Sequence, residues 1–355
     1  MPQRFLRSIA AVLFSAVVCG FAYADSVTLV SGKTISGKIS LDAKNAISVA
    51  AKDLPPVRAD VRDIVSLKVD APKATAPARL ATLLDGTRIA ATEVLSMDDR
   101  EIRLKRVDGS VLAVNTSLVS TIDFAPADAH TPPTPNFVGV QLGGKDTAEG
   151  DVLSISPKSV KVSSVLFGVQ EFDTAKNVQA VYLRPTGVSK AAYIIRGRDG
   201  SSWQALTLAI EGGKINLTTD LAGPISVAAN DLLSIDLGPA SADDLSSLTA
   251  SPDQPLRLAP GQQQNVNVGG KYRAIVLTYR IPDIYMPIRS ARLIVLADDN
   301  EIAKTEPLTS LDPAVTVTRP ISGAKTLTFR LEATGPTALG IAGEIVEARL
   351  IRSAP

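Results

Sequence analysis

Few residues in this chain are equipped for covalent or metal chemistry. His130 is the only histidine, and it sits in the proline-rich stretch DAHTPPTP. A Ser-His-Asp triad needs its imidazole held against a packed nucleophile, so a linker histidine excludes that chemistry and histidine-rich zinc sites with it. Cys19 is the only cysteine and precedes Asp25, which leaves the rest of the chain without disulfide, thiolate or cysteine nucleophile. The GGKD at 143–146 has neither the spacing nor the hydroxyl of a phosphate-binding loop, and no G-x-S-x-G elbow occurs. No catalytic residue is predicted.

Carboxylates remain, because a glycosidase needs only two acids a short distance apart. The pairs Asp98-Asp99, Asp243-Asp244 and Asp298-Asp299 all fall in turn-like or linker stretches, where acids are ordinarily solvated. Asp298, Asp299 and Asn300 offer oxygen ligands for calcium, but without EF-hand spacing. No metal or cofactor is expected. Aromatics are the other handle. Trp203, the single tryptophan, reads as a core residue of an otherwise aliphatic protein. Tyr272, Tyr279 and Tyr285 alternate with Arg273, Arg280 and Arg289 in GKYRAIVLTYRIPDIYMPIR. Tyrosine and arginine suit half-apolar, half-wet contacts such as a sugar face. Tyr279, Tyr285 and Arg280 are therefore the candidate ligand-binding residues.

What would position such residues follows from the rest of the chain. Residues 1–24 read as a signal peptide: Arg4 and Arg7, an apolar run at 9–18, then Ala22-Tyr23-Ala24. That predicts export to a periplasmic, cell-envelope or extracellular location, with no transmembrane segment after Asp25. Without Arg4 and Arg7 the chain carries 35 basic and 36 acidic residues, a balance unlike the basic excess of nucleic-acid binders.

The turn glycines Gly32, Gly86, Gly144 and Gly200 lie 54, 58 and 56 residues apart, each between alternating apolar residues. A second landmark (Leu67, Ile122, Val181, Ile235) follows each glycine by 35 to 37 residues. Two landmarks in register four times define four copies of one unit, at 25–70, 79–125, 136–184 and 189–238. Each parses as about five short strands, which predicts small SH3-like or Sm-like β-barrel repeats that pack on one another. Pro/Ala-rich spacers at 71–78 and 125–135 separate the first three copies. Only RPTGVS divides the third from the fourth, which predicts close apposition of those two.

From 256 to 353 the repeat disappears while strand-like runs continue. In KTLTFRLEAT, Leu327, Phe329 and Leu331 alternate with Thr326, Thr328 and Arg330, the period of a half-buried strand. The fold class is thus all-β: tandem small barrels followed by a C-terminal jelly-roll β-sandwich. Here ARLIVLADDNEIAKTEPL and VTVTRPISGAKTLTFRLEATG resemble the latter half of the NPCBM-type carbohydrate-binding, galactose-binding-like jelly roll. Asp298, Asp299 and Asn300 match its turn, and Ile321, Gly323, Leu327 and Phe329 match its later run. The upstream units loosely resemble β-repeats of envelope proteins from planctomycete-like bacteria. The signal peptide and the missing catalytic residues predict an exported, non-enzymatic protein, and the resemblance implies that it binds polysaccharide or envelope glycan through the jelly roll. The alternative is an envelope scaffold that binds protein partners and has no glycan affinity.

Overall fold

The computed structural model describes residues 25–51, 55–70, 77–124, 133–134, 136–143, 146–249, 255–282, 289–334 and 340–352. The described residues are all-β, joined by short 3-10 turns, and no helix among them is long and apolar enough to cross a membrane. The expected signal peptide and His130 lie outside them.

The second unit shows the plan. Strands Arg79–Leu83, Arg88–Met97, Glu101–Arg106 and Val111–Asn115 form an antiparallel meander. A 3-10 turn, Thr116–Leu118, leads to a fifth strand, Val119–Asp123, which returns to pair with the first. Asn115 starts the turn by accepting from the Ser117 N–H, the capping role its short polar side chain suits. The fourth unit repeats this order from Tyr193–Gly197 to Leu232–Leu237. In the first and third units the second strand breaks at Gly37 and Gly150. A Cβ at either glycine would lie 2.4 Å and 2.3 Å from the carbonyl oxygens of Ala50 and Ser163, so the bend needs a residue without one.

These units carry the expected five-strand order but stay open. Among the described residues no ladder joins a fourth strand to a fifth, so hydrogen bonding closes no barrel. The fifth-strand edges are covered instead by pairing between units. The second-landmark strands pair across units, Leu67 opposite Ile235 and Ile122 opposite Val181, and all four side chains are buried. The first unit is thus joined to the fourth and the second to the third, around one apolar core that runs through all four.

The expected apposition of the third and fourth units is corrected by this pairing. No ladder joins those two among the described residues. Their short connection instead crosses the second unit: the N–H of Leu183 donates to Ser120, that of Gly187 to Leu84, and Arg184 donates to the Ser117 carbonyl. A brief linker fixes where the chain leaves, whereas the free edge of a fifth strand is a ready template for another strand.

The C-terminal region is a β-sandwich, as expected of a jelly roll. One sheet orders Ala242–Asp244, Gly343–Arg352, Tyr272–Arg280 and Val315–Pro320, with Leu256–Leu258 also on Gly343–Arg352. The other orders Gln263–Asn267, Thr326–Ala333, Ala291–Ala297 and Asn300–Lys304. Leu327, Phe329 and Leu331 point into the separate core between the sheets, as their alternation predicts. Arg273 ties the sandwich to the first unit, donating to the Arg62 carbonyl at 2.7 Å beside Asp63. Gly32 meets the Thr318 carbonyl there so closely that a Cβ would stand 2.2 Å from it.

Asp243 anchors the strand that enters the sandwich. Its carboxylate accepts from Arg352 Nε at 3.0 Å and from the Tyr272 hydroxyl at 2.8 Å. The Arg352 hydrogen bonds hold its carboxyl below the ordinary value of 3.8, outweighing a smaller upward push from burial. A depressed acid contributes stability that is complete above its unfolded value and is lost as pH falls through the folded one. Asp243→Asn is therefore expected to flatten the loss of stability between about pH 5 and pH 2, measured by urea unfolding at stepped pH.

Candidate functional site

Tyr279, expected at a ligand-binding rim, is a core residue. Its ring is fully buried and its hydroxyl donates to the Ala291 carbonyl at 3.2 Å. Gly343 makes the room: a Cβ there would lie 2.6 Å from the ring. Burial drives the phenol pKa upward, which keeps the hydroxyl a neutral donor. Tyr279 shares a strand face with Ile275 and Leu277, and that alternation was the available signal. Tyr285 lies outside the described residues.

Arg280 does reach the surface, at the end of the same strand. Its Nε and Nη2 donate to Glu344 Oε2 at 3.2 and 2.9 Å, and Arg257 Nη2 meets Oε1 at 2.8 Å. The Glu344 side chain is only 3% exposed, whereas those of Arg280 and Arg257 are 50% and 69% exposed. One buried carboxylate thus aligns two guanidinium groups whose remaining donors face solvent, leaving the trio with one net positive charge.

Of the acidic candidates, Asp98, Asp244 and Asp298 accept backbone N–H groups at turns, and Asp243 holds Arg352 and Tyr272. Asp98 accepts from the N–H groups of Arg100 and Glu101, and these hydrogen bonds lower its pKa. Asp298 and Asp299 adopt positive φ angles of 44° and 67° at the turn between two strands. Asp298 accepts from the backbone of Lys325 and Thr326, so its oxygens are already engaged. No group of three or more candidate metal ligands occurs among the described residues. Trp203 is 1% exposed, a core residue as read, with the Arg106 guanidinium 5.8 Å from its ring centroid.

Sequence reasoning missed a groove of about 570 Å³ on the outer face of the four-stranded sheet. Strand register assembles it: Arg330 lies opposite Gln263 on one side and Ile294 on the other, and Ile294 lies opposite Lys304. Ile294, only 5% exposed, gives the groove a narrow aliphatic floor. Gln262, Gln263, Glu301 and Arg330 line it with amide and charged groups. Glu332 receives Arg292 Nε at 2.7 Å and has Lys304 Nζ at 3.6 Å, which fixes that wall. Chemically the groove offers hydrogen-bond donors and acceptors over a small apolar floor, and of its two carboxylates, Glu301 and Glu332, the second is engaged by Arg292 and Lys304.

No family model and no curated protein matches the chain. Among solved structures it is similar to CBM51 from Clostridium perfringens GH95 in complex with methyl-galactose, at 15% identity over 31% of this chain and 99% of that one, with a TM-score of 0.24. It is also similar to CBM51-2 in complex with GlcNAc and INT domains from Clostridium perfringens ZmpB, at 11% identity over 54% and 44% of the two chains, TM-score 0.28. A third is the tandem CBM51 modules of Sp3GH98, the family 98 glycoside hydrolase from Streptococcus pneumoniae, at 11% identity over 92% and 88%, TM-score 0.28. At such TM-scores the function of this chain rests on its own residues.

Proposed function

We propose that this is an exported, non-catalytic protein that attaches to polysaccharide or cell-envelope glycan through its C-terminal sandwich. The observation that carries the reading is the open groove on the four-stranded sheet, with Ile294 as floor and Gln263, Arg330 and Lys304 around it. A sugar ring presents C–H groups on one face and hydroxyls around its edge, and this lining answers both. Arg280, aligned by Glu344, is proposed as a second contact at the end of the sandwich, and Tyr285, five residues on in the sequence, as a further candidate.

A single shallow site of this kind holds a sugar at around millimolar Kd, about −4 kcal/mol, so retention on a polymer draws on many contacts at once. Affinity electrophoresis through gels containing a panel of soluble polysaccharides tests the proposal. The wild type is expected to be retarded by at least one of them, and the double variant Gln263→Ala/Arg330→Ala to lose roughly tenfold in affinity, as two hydrogen-bonding contacts would. No retardation on any glycan, with a specific envelope protein captured instead, would favour the scaffold alternative.

A further inference from the structure

The second, third and fourth units differ in the hairpin joining their third and fourth strands. In the second unit its tip docks on the fourth unit, where Arg106 covers Trp203 and Val107 and Asp108 line a cleft with Gly197 and Asp231. In the fourth unit the tip folds back, and Leu221 and Ala222 pack against the core. The hairpin of the third unit, Ser159–Ser164 and Gly168–Asp173, does neither. Its tip residues Val165, Leu166 and Phe167 are 101%, 82% and 71% exposed, and Val169 beside them is 64% exposed. Its fourth strand has no buried residue, whereas the equivalent strands bury Ala59, Val114 and Val227.

Charge distinguishes this hairpin as well. The nine residues VSSVLFGVQ at 162–170 carry no formal charge, while the equivalent tips carry Arg106 and Asp108 in the second unit and Asp220 in the fourth. The nearest charged residues on the hairpin itself are Lys161 and Glu171 at its base, paired at 3.9 Å; on the adjoining strand, Asp151 stands opposite Ser163. Contiguous exposed apolar side chains mark a contact with a partner or a membrane. Shape selects between these. A convex tip three residues wide buries little against a second convex tip or a flat protein face, whereas lipid closes around it from every side.

We propose that the third unit's hairpin inserts Val165, Leu166 and Phe167 into a lipid surface. Insertion is shallow, at the headgroup–acyl boundary, because the ladder ends at Ser164 opposite Gly168 and the loop amides beyond it need headgroups or water. One apolar wedge gives reversible attachment. Lys161 is balanced by Glu171, so attachment needs no anionic lipid and is insensitive to salt.

Co-sedimentation with sucrose-loaded phosphatidylcholine/phosphatidylethanolamine vesicles, using the chain from Asp25, tests this. The wild type is expected to sediment equally at low and high salt, and Leu166→Ser/Phe167→Ser to lose at least about tenfold in partitioning, in line with the apolar area withdrawn. Both side chains are exposed, so a circular dichroism spectrum matching wild type is expected alongside. Cys19 is the only cysteine, so Leu166→Cys in this chain takes one environment-sensitive dye, whose emission should shift to the blue on vesicles. A wild type that stays in the supernatant, or a double variant that sediments like wild type, would overturn the proposal. So would binding confined to anionic vesicles and abolished by salt, or self-association that the double variant removes.

Discussion

Trp203→Ala is expected to lower the stability of the repeat array by about 3–5 kcal/mol, the usual cost of removing a large buried aromatic. Trp203 is the largest fully buried side chain among the described residues, in a core built mostly of aliphatic residues. Its loss leaves a cavity that the two strands beside it, held by ladders on both sides, close only in part. It also removes the surface that Arg106 covers, and with it the seat of the second unit's hairpin on the fourth. Because one core runs through all four units, the loss should appear as one lowered transition for the array rather than as local fraying. Urea unfolding followed by far-ultraviolet circular dichroism reads it, since the variant retains no tryptophan. A change under about 0.5 kcal/mol, the range of surface substitutions, would mean that the ring does not support a shared core.

The second large effect separates a core tyrosine from a ligand-binding one. Tyr279→Ala is expected to cost the sandwich about 3–5 kcal/mol, by the same cavity argument. Tyr279→Phe should cost only about 0.5–1.5 kcal/mol, the net worth of one hydrogen bond. The lower end is expected, because the Ala291 carbonyl keeps the Leu308 N–H as a second donor. Glycan retardation should be unchanged in Tyr279→Phe. Loss of retardation in that variant, with the fold intact, would return Tyr279 to the binding surface.

The repeat was legible because its marks are local. Gly32, Gly86 and Gly200 all take φ near 84° to 92°, which only a residue without a Cβ adopts freely, and the apolar alternation around them needs no tertiary information. Which unit pairs with which was not legible. Leu67, Ile122, Val181 and Ile235 sit on strands of similar character, so any of them fits any other, and the choice depends on how 183–189 crosses the second unit. Tyr279 was misread because neighbouring arginines drew attention to its polar end, while its phase with Ile275 and Leu277 placed it inward. The groove left no local trace at all. Gln263, Ile294, Lys304 and Arg330 are ordinary strand residues far apart in the chain, and only ladder register brings them together.

The central claim is that the outer face of the four-stranded sheet takes up the glycan. Hydrogen–deuterium exchange with and without a retarding oligosaccharide tests it most directly, since it reports the contacted surface without any substitution. Protection is predicted in the segments 260–264, 291–304 and 326–333, with the repeat units unchanged. Protection confined to the repeats, or none at saturating sugar, would contradict it.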